Sequence, residues 1–166
     1  MLFTSTTFFF IFLPVVFCGF YVLGSRMPQL AAGWLFVASM VFYGYWMPQF
    51  TILLLGSICW NFWIGGNIGR LNPGIARVVD RRRAKAWLIV GISANLAVLG
   101  YFKYAEFCLD NLNIVLGQEW TLGPIILPIG ISFFTFTQIA FLADAYLKGT
   151  KEYGATHYGL FVTYFP

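Results

Sequence analysis

The sequence predicts an all-α membrane protein, a polytopic bundle of about five transmembrane helices followed by the start of a sixth. Of its 166 residues, 60% are hydrophobic, 20% are aromatic and only 10% are charged. Soluble domains carry about 25% charged residues, so this chain has too few polar groups to cover a water-facing surface. The apolar residues also fall into runs of spanning length. We expect residues 1–166 to form the N-terminal part of a single multi-pass membrane domain.

The first apolar run covers residues 3–23 and is followed by the helix-breaking sequence around Pro28. A secretory signal would begin with positive charge and end at a small-residue cleavage site. Residues 1–7 contain no Lys or Arg, and no such site follows the run. We interpret it as a retained first span.

The remaining spans are predicted from apolar runs of about 17 to 20 residues, the length that crosses a bilayer. They are residues 30–46, 50–68, 86–102 and 125–142, and a further apolar run begins at Tyr158. Between the fourth and fifth spans, residues 106–116 are interpreted as a short amphipathic segment lying at the outer surface. Gly117 is expected to end that segment.

The basic residues predict the orientation of the chain. The loop after the third span contains Arg70, Arg77, Arg81, Arg82, Arg83 and Lys85 and a single acid, Asp80. Because loops rich in Lys and Arg stay in the cytoplasm, this loop is predicted to be cytoplasmic. Alternation then places the N-terminus outside. We expect a multi-pass protein of the bacterial cytoplasmic membrane.

The fifth span carries polar residues at helical spacing. Ser132, Thr135 and Gln138 follow at intervals of three, so they form one stripe along the helix. Pro128 and Gly130 precede them and loosen the backbone, as occurs where a helix lines a cavity. Spacing alone favours hydrogen bonding between helices over a water-filled cleft. Asp144 and Lys148, four residues apart, are predicted to pair.

Residues 127–136, Leu-Pro-Ile-Gly-Ile-Ser-Phe-Phe-Thr-Phe, and 143–146, Ala-Asp-Ala-Tyr, resemble a known family. They are similar to the membrane-bound O-acyltransferases, in particular to the bacterial branch with alginate O-acetyltransferases and the D-alanyl transferase of teichoic acids. Residues 95–104 and 160–166 resemble the stretches on either side of this motif. The resemblance follows nearly the whole chain in order and spacing.

The resemblance implies transfer of an acyl group, in this branch acetyl, through a funnel in the membrane. The donor would be a cytoplasmic thioester, an acyl-CoA or an acyl carrier, and the acceptor a hydroxyl of an envelope or extracellular polysaccharide. Ser132, Thr135 and Gln138 would line one wall of this substrate channel. The resemblance also suggests a periplasmic or extracellular acyltransferase partner, and it implies no bound cofactor.

Catalysis is not expected from the residues of this chain. The family's catalytic histidine lies in a later hydrophobic segment beyond Pro166, so the portion alone is predicted to be inactive. His157 is the one histidine present, and a lone histidine at a helix entrance is usually solvated. Cys18, Cys59 and Cys108 lack C-x-x-C spacing and are expected to be small buried apolar residues, not metal ligands.

The basic residues Arg81, Arg82, Arg83 and Lys85 allow two further interpretations. They are candidates for holding the phosphates of a CoA-type donor or anionic lipid headgroups. The simpler interpretation is that they fix topology and have no other role. Nucleic-acid binding is not expected, because the group lies in a short loop between two spans.

The alternative to an enzyme is a non-enzymatic polytopic protein, either a transporter subunit or an assembly partner. Its polar stripe would then line a permeation path. Transporters commonly show internal repeats or paired broken helices. This sequence has one Pro- and Gly-interrupted span and no internal repeat, which favours the acyltransferase.

Overall fold

The computed structural model of the protein describes residues 6–25, 27–71, 78–117, 120–121, 123, 125–148 and 154–163. Within these ranges the chain forms helices and short connections and no strand, which confirms the all-α prediction. The helices are α1 (π-helical at Phe8–Phe12, α-helical at Leu13–Gly24), α2 (Pro28–Trp46), α3 (Pro48–Leu71), α4 (Val78–Leu116), α5 (Ile131–Lys148) and α6 (Ala155–Thr163).

Two of these helices are long and apolar enough to cross a membrane, namely Pro48–Leu71 and the part Arg81–Leu116 of α4. Phe8–Gly24 and Leu30–Trp46 are apolar but shorter. The predicted spans 30–46 and 50–68 fall within α2 and α3, and the first three residues of the predicted span 3–23 lie outside the described residues. A membrane bundle fits these helices, and the number of spans stays a prediction.

Helix α4 differs from the prediction because it is one continuous helix of 39 residues. It runs through the predicted fourth span 86–102 and through residues 106–116, so the prediction of a separate short segment there is wrong. Residues 103–106, Lys-Tyr-Ala-Glu, contain neither Pro nor Gly, and nothing in them interrupts a helix. The predicted end is confirmed, since α4 stops at Leu116 and Gly117 takes φ +63°.

Helix α5 begins at Ile131, so the predicted start of the fifth span at residue 125 is wrong. Gly130 has φ +75°, a left-handed conformation that favours glycine, and Pro128 precedes it. The Ile131 N–H donates to Pro128 O at 3.3 Å and closes the turn into the helix. At the other end, Lys148 Nζ lies 3.2 Å from Asp144 Oδ1, which confirms the predicted pair.

The described residues fall into two compact units. The first unit contains those of 1–63 and 151–166, in which α1 packs on α2 and α2 packs on α6. Trp34 Nε1 donates to Val16 O at 3.0 Å, across α1 and α2. The approach needs a glycine, because a Cβ built at Gly19 would lie 2.5 Å from Trp34 Nε1. Small residues thus let these helices pack closely, as in membrane bundles.

The second unit contains the described residues of 64–150, which are the end of α3, α4 and α5. Helix α4 packs along α5. A Cβ built at Gly91 of α4 would lie 2.6 Å from Leu142 Cδ1 and 3.3 Å from Ile64 Cγ2. Gly65 of α3 makes a similarly close approach to the Phe141 ring. The two glycines bring the three helices together around α5.

Candidate functional site

The buried face of α5 contains the predicted polar stripe. Its buried residues are Ile131, Phe134, Thr135, Gln138, Phe141, Leu142 and Ala145. Their spacing of three or four places them on one side of the helix. Thr135 is 1% exposed and Gln138 is 0% exposed, whereas Ser132 is half-buried. The structure thus brings Thr135 and Gln138 into the interior of the second unit and leaves Ser132 beside that face.

Helix α4 has a matching buried face in the same unit. Ala84, Gly91, Asn95 and Leu99 are its buried residues, separated by seven and then four positions. Asn95 is 5% exposed, and its Nδ2 donates to Gly91 O at 2.8 Å on the same helix. The interior of this unit therefore combines aliphatic and aromatic side chains with two amides and one hydroxyl.

These polar groups form hydrogen bonds but cannot move a proton at neutral pH, because amides and alcohols do not titrate there. Among the described residues, no Asp, Glu, Lys, Arg, His or Cys side chain is buried. The described interior therefore offers hydrogen-bonding groups and no charged ones. General acid–base catalysis near neutral pH needs a group such as an imidazole or a carboxylate, whereas the buried titratable side chains among the described residues are the phenols of Tyr43 and Tyr158 in the first unit.

His157 lies in the first turn of α6 and is exposed, as expected for a solvated residue. Cys18, Cys59 and Cys108 are exposed as well, so the expectation that they are buried is wrong. Exposed apolar residues lie next to each of them in the chain, namely Phe17, Trp60 and Phe107. Within the described ranges, no three His, Cys, Asp or Glu side chains lie close enough together to hold a metal ion.

The predicted phosphate-binding residues lie near the beginning of α4. Arg81, Arg82, Arg83 and Lys85 are exposed, and Ala84 among them is 0% exposed. None of the four cations has a hydrogen bond or ion pair with another described side chain. Arg77 and the side chain of Asp80 lie outside the described residues.

Asn61 is a buried polar residue that the sequence prediction missed. It is 1% exposed in α3, and its Nδ2 donates to Ser57 O at 2.9 Å. Thr163 of α6 uses the same geometry, with Oγ1 donating to Gly159 O at 2.9 Å. An amide near the middle of the apolar run 50–68 was the available signal, since such residues usually face a bundle interior. The carbonyl four residues earlier accepts each bond within the same helix.

A second feature that the sequence analysis did not predict is a pair of hydrogen bonds between α4 and the backbone that follows it. Asn113 Nδ2 donates to Trp120 O at 2.7 Å, and the Trp120 N–H donates back to Asn113 Oδ1 at 3.1 Å. We call this pair of bonds the Asn113 clasp. It holds the backbone of Trp120 against the last turns of α4, while the Trp120 side chain remains exposed.

Curated bacterial proteins are similar to the chain over its whole length. A Pseudomonas aeruginosa protein named "Probable alginate O-acetylase" is 42% identical, and the alignment covers 100% of this chain and 31% of that protein. A protein of the same name from Azotobacter vinelandii is 36% identical, with 100% and 32% covered. The peptidoglycan O-acetyltransferase of Helicobacter pylori is 33% identical, with 100% and 35% covered.

The chain thus spans about a third of the length of these relatives. Their names confirm the resemblance to alginate O-acetyltransferase-like proteins predicted from residues 127–146. No family model matches the chain. No solved structure matches it either.

Proposed function

Since this chain is related over its whole length to alginate O-acetylases and to a peptidoglycan O-acetyltransferase, we propose that it is part of a membrane-bound O-acyltransferase. The single observation that carries the proposal is the 42% identity across 100% of the chain. The acyl group is acetyl, as in the names of the relatives. The donor is a cytoplasmic thioester, an acyl-CoA or an acyl carrier, and the acceptor is a hydroxyl of an envelope or extracellular polysaccharide.

In the reaction, the acceptor oxygen attacks the thioester carbonyl, the C–S bond breaks, and the hydroxyl proton ends on the departing thiol. A base must take that proton as the oxygen attacks. The resemblance assigns this step to a histidine outside residues 1–166. The described side chains of this chain position substrate and do not form or break the bonds.

We propose Thr135 and Gln138 as channel residues. Both belong to the buried face of α5, and non-helical backbone at residues 125–130 precedes that helix. Irregular backbone within a membrane protein is tolerated where it is buried in protein or lines a cavity. We place Ser132, half-buried beside this face, at the margin of the same channel.

The proposed setting is the bacterial cytoplasmic membrane, with several spans and an outside N-terminus. The apolar helices Pro48–Leu71 and Arg81–Leu116 support a membrane location, and the basic residues at the beginning of α4 support a cytoplasmic loop there. The partners are the lipid bilayer, the acyl donor, the glycan acceptor and a periplasmic or extracellular acyltransferase.

A genetic experiment separates this proposal from the alternative of a transporter subunit or assembly partner. The gene is deleted and restored in its own host, and ester-linked acetyl on envelope and secreted polysaccharides is measured by mass spectrometry. We expect loss of acetyl esters on deletion, with unchanged polysaccharide yield. Unchanged acetylation with reduced export of polysaccharide would favour the transporter.

A further inference from the structure

Acyl transfer leaves one strongly charged surface without a role. Arg81, Arg82, Arg83 and Lys85, called here the basic cluster, place four cations within five residues of α4. All four are exposed, and none has a partner among the described side chains. Positive charge at this density attracts anions. Helix stability does not explain it, because the dipole of a helix disfavours cations near its beginning.

The burial of Ala84, which lies between Arg83 and Lys85, shows which side of α4 the four cations leave free. Ala84 is 0% exposed, so one side of this turn of α4 is covered by protein. At 100° per residue, Arg81 and Lys85 lie above one another, and Arg82 and Arg83 occupy other sides of the helix. The cations therefore extend over more than half of the circumference of α4 and away from the packed face.

A second group of residues on α4 sets the depth of the basic cluster. Tyr101, Lys103 and Tyr104 are exposed, and Lys103 Nζ lies 5.5 Å from the centre of the Tyr104 ring. Residues 86–102 between the two groups contain no charge. At about 1.5 Å per residue, Arg83 and Lys103 are separated by about 30 Å along the helix. That is about the thickness of the hydrocarbon core, so both groups reach the headgroup level of opposite leaflets.

We propose that the basic cluster is a binding site for phosphate-ester anions at the membrane surface, occupied by the headgroups of anionic phospholipids. Guanidinium groups bind phosphate oxygens through paired, charge-assisted hydrogen bonds. A phospholipid headgroup and a CoA-type donor share this chemistry. The cluster favours the lipid, because its charges radiate from a convex helix. One small phosphate compound touches only part of such a surface, whereas a layer of headgroups surrounds it.

The test uses the purified full-length protein in vesicles of phosphatidylcholine, with spin-labelled phosphatidylglycerol as the probe. The label's electron paramagnetic resonance spectrum reports how much probe is immobilised at the protein. We expect a several-fold preference over spin-labelled phosphatidylcholine, which falls with added salt. The R81Q/R82Q/R83Q/K85Q variant should reduce the preference to about 1.

Three further variants guard against misfolding or altered insertion. R81Q/K85Q and R82Q/R83Q each retain two cations and should each lose part of the preference, while R81K/R82K/R83K keeps the charge and should retain most of it. Circular dichroism and vesicle flotation check that each variant is helical and inserted. An inserted, helical four-residue variant with the wild-type preference would overturn the proposal.

A second arm identifies the source of the phosphate. Coenzyme A is titrated calorimetrically into protein in phosphatidylcholine vesicles without anionic lipid. We expect no binding that depends on the basic cluster. Coenzyme A binding that R82Q/R83Q weakens, without any lipid preference, would overturn the lipid as the occupant. Neither arm requires acyl transfer, so the inference and the proposed function fail independently.

Discussion

Gln138 is the largest polar side chain on the buried face of α5, and it is 0% exposed. Its amide tolerates burial because it is neutral and both donates and accepts hydrogen bonds. A carboxylate of the same shape would carry charge into the same site. Burial of an ion without a compensating partner is among the largest single-residue penalties in proteins.

Gln138→Glu is therefore expected to destabilise the second unit by about 3 kcal/mol or more. Thermal unfolding in detergent, followed by circular dichroism, measures the effect. The matched control is Gln49→Glu, an exposed position in the first turn of α3, where a carboxylate is favourable. Equal melting temperatures for the two variants would show that Gln138 is not buried as described.

Gly91 permits the close approach of α4 to α5. Gly91→Ala would place a Cβ 2.6 Å from Leu142 Cδ1, and Leu142 is itself 0% exposed. We expect a loss of about 1–3 kcal/mol from overpacking. Gly100→Ala, on the same helix with open space around it, should be neutral or stabilising by up to about 1 kcal/mol. The prediction fails if the Gly91 variant melts at or above the temperature of the Gly100 variant.

Among the helices, α4 differs most from the sequence prediction. Its 39 residues make a helix about 58 Å long, nearly twice the hydrocarbon thickness. A tilt within the usual range does not bury such a length. In the proposed orientation the last turns extend past the bilayer on the side opposite the basic cluster. The Asn113 clasp ties the following backbone to these turns.

The continuity of α4 is measurable by electron–electron resonance between spin labels at Ala86→Cys and Leu116→Cys. Cys18, Cys59 and Cys108 are first replaced by Ser, since all are exposed. A continuous helix places the labelled backbone positions about 45 Å apart. A right-angle break near residue 104, with the last part lying on the surface, gives about 32 Å. The shorter distance would contradict the structure.

Composition and apolar run length were enough to predict the all-α class and the approximate position of each helix. Two element ends were not predictable from those signals alone. The apolar run 125–142 conceals the left-handed Gly130, which moves the start of α5 to Ile131. The charges at residues 103–106 suggested an end to the fourth span, yet charge marks a membrane boundary and does not break a helix.

The site was predicted in part. Spacing placed Thr135 and Gln138 on one side of α5, and the structure buries both. Spacing did not reveal that the half-buried Ser132 lies beside this face, because that depends on where α4 and α3 pack. Gly65 contacts Phe141, and Gly91 contacts Leu142. These are contacts between helices, and the sequence pattern of one chain does not predict which helices pack together.

At the scale of the whole molecule, the surface of the described residues is apolar enough to be solvated by lipid. Large hydrophobic side chains are widely exposed, including Phe10 at 78%, Ile52 at 77% and Phe136 at 62%. The buried Asn61 and Asn95 each donate one amide N–H to a carbonyl of their own helix, which satisfies that donor without water. Both features agree with a protein that has lipid as its main solvent.

Residues 1–166 produced alone are expected to insert into membranes and to transfer no acetyl group. The physical reason is that the described interior contains no carboxylate, imidazole, amine or thiol to act as the base near neutral pH, and its buried titratable groups are the phenols of Tyr43 and Tyr158. Insertion is checked by resistance to carbonate extraction, and transfer by release of free thiol from acetyl-CoA. Turnover by this portion alone would show that it contains a complete active site.

The most direct test of the acyltransferase proposal is acetyl transfer by the purified full-length protein in vesicles. Radiolabelled acetyl-CoA, or an acetylated carrier, is supplied on the cytoplasmic side with an envelope polysaccharide on the other side. We predict alkali-labile label on the polysaccharide, with one free thiol released per ester formed. Vesicles that hold folded protein and every donor and acceptor class, yet form no ester, would contradict the proposal.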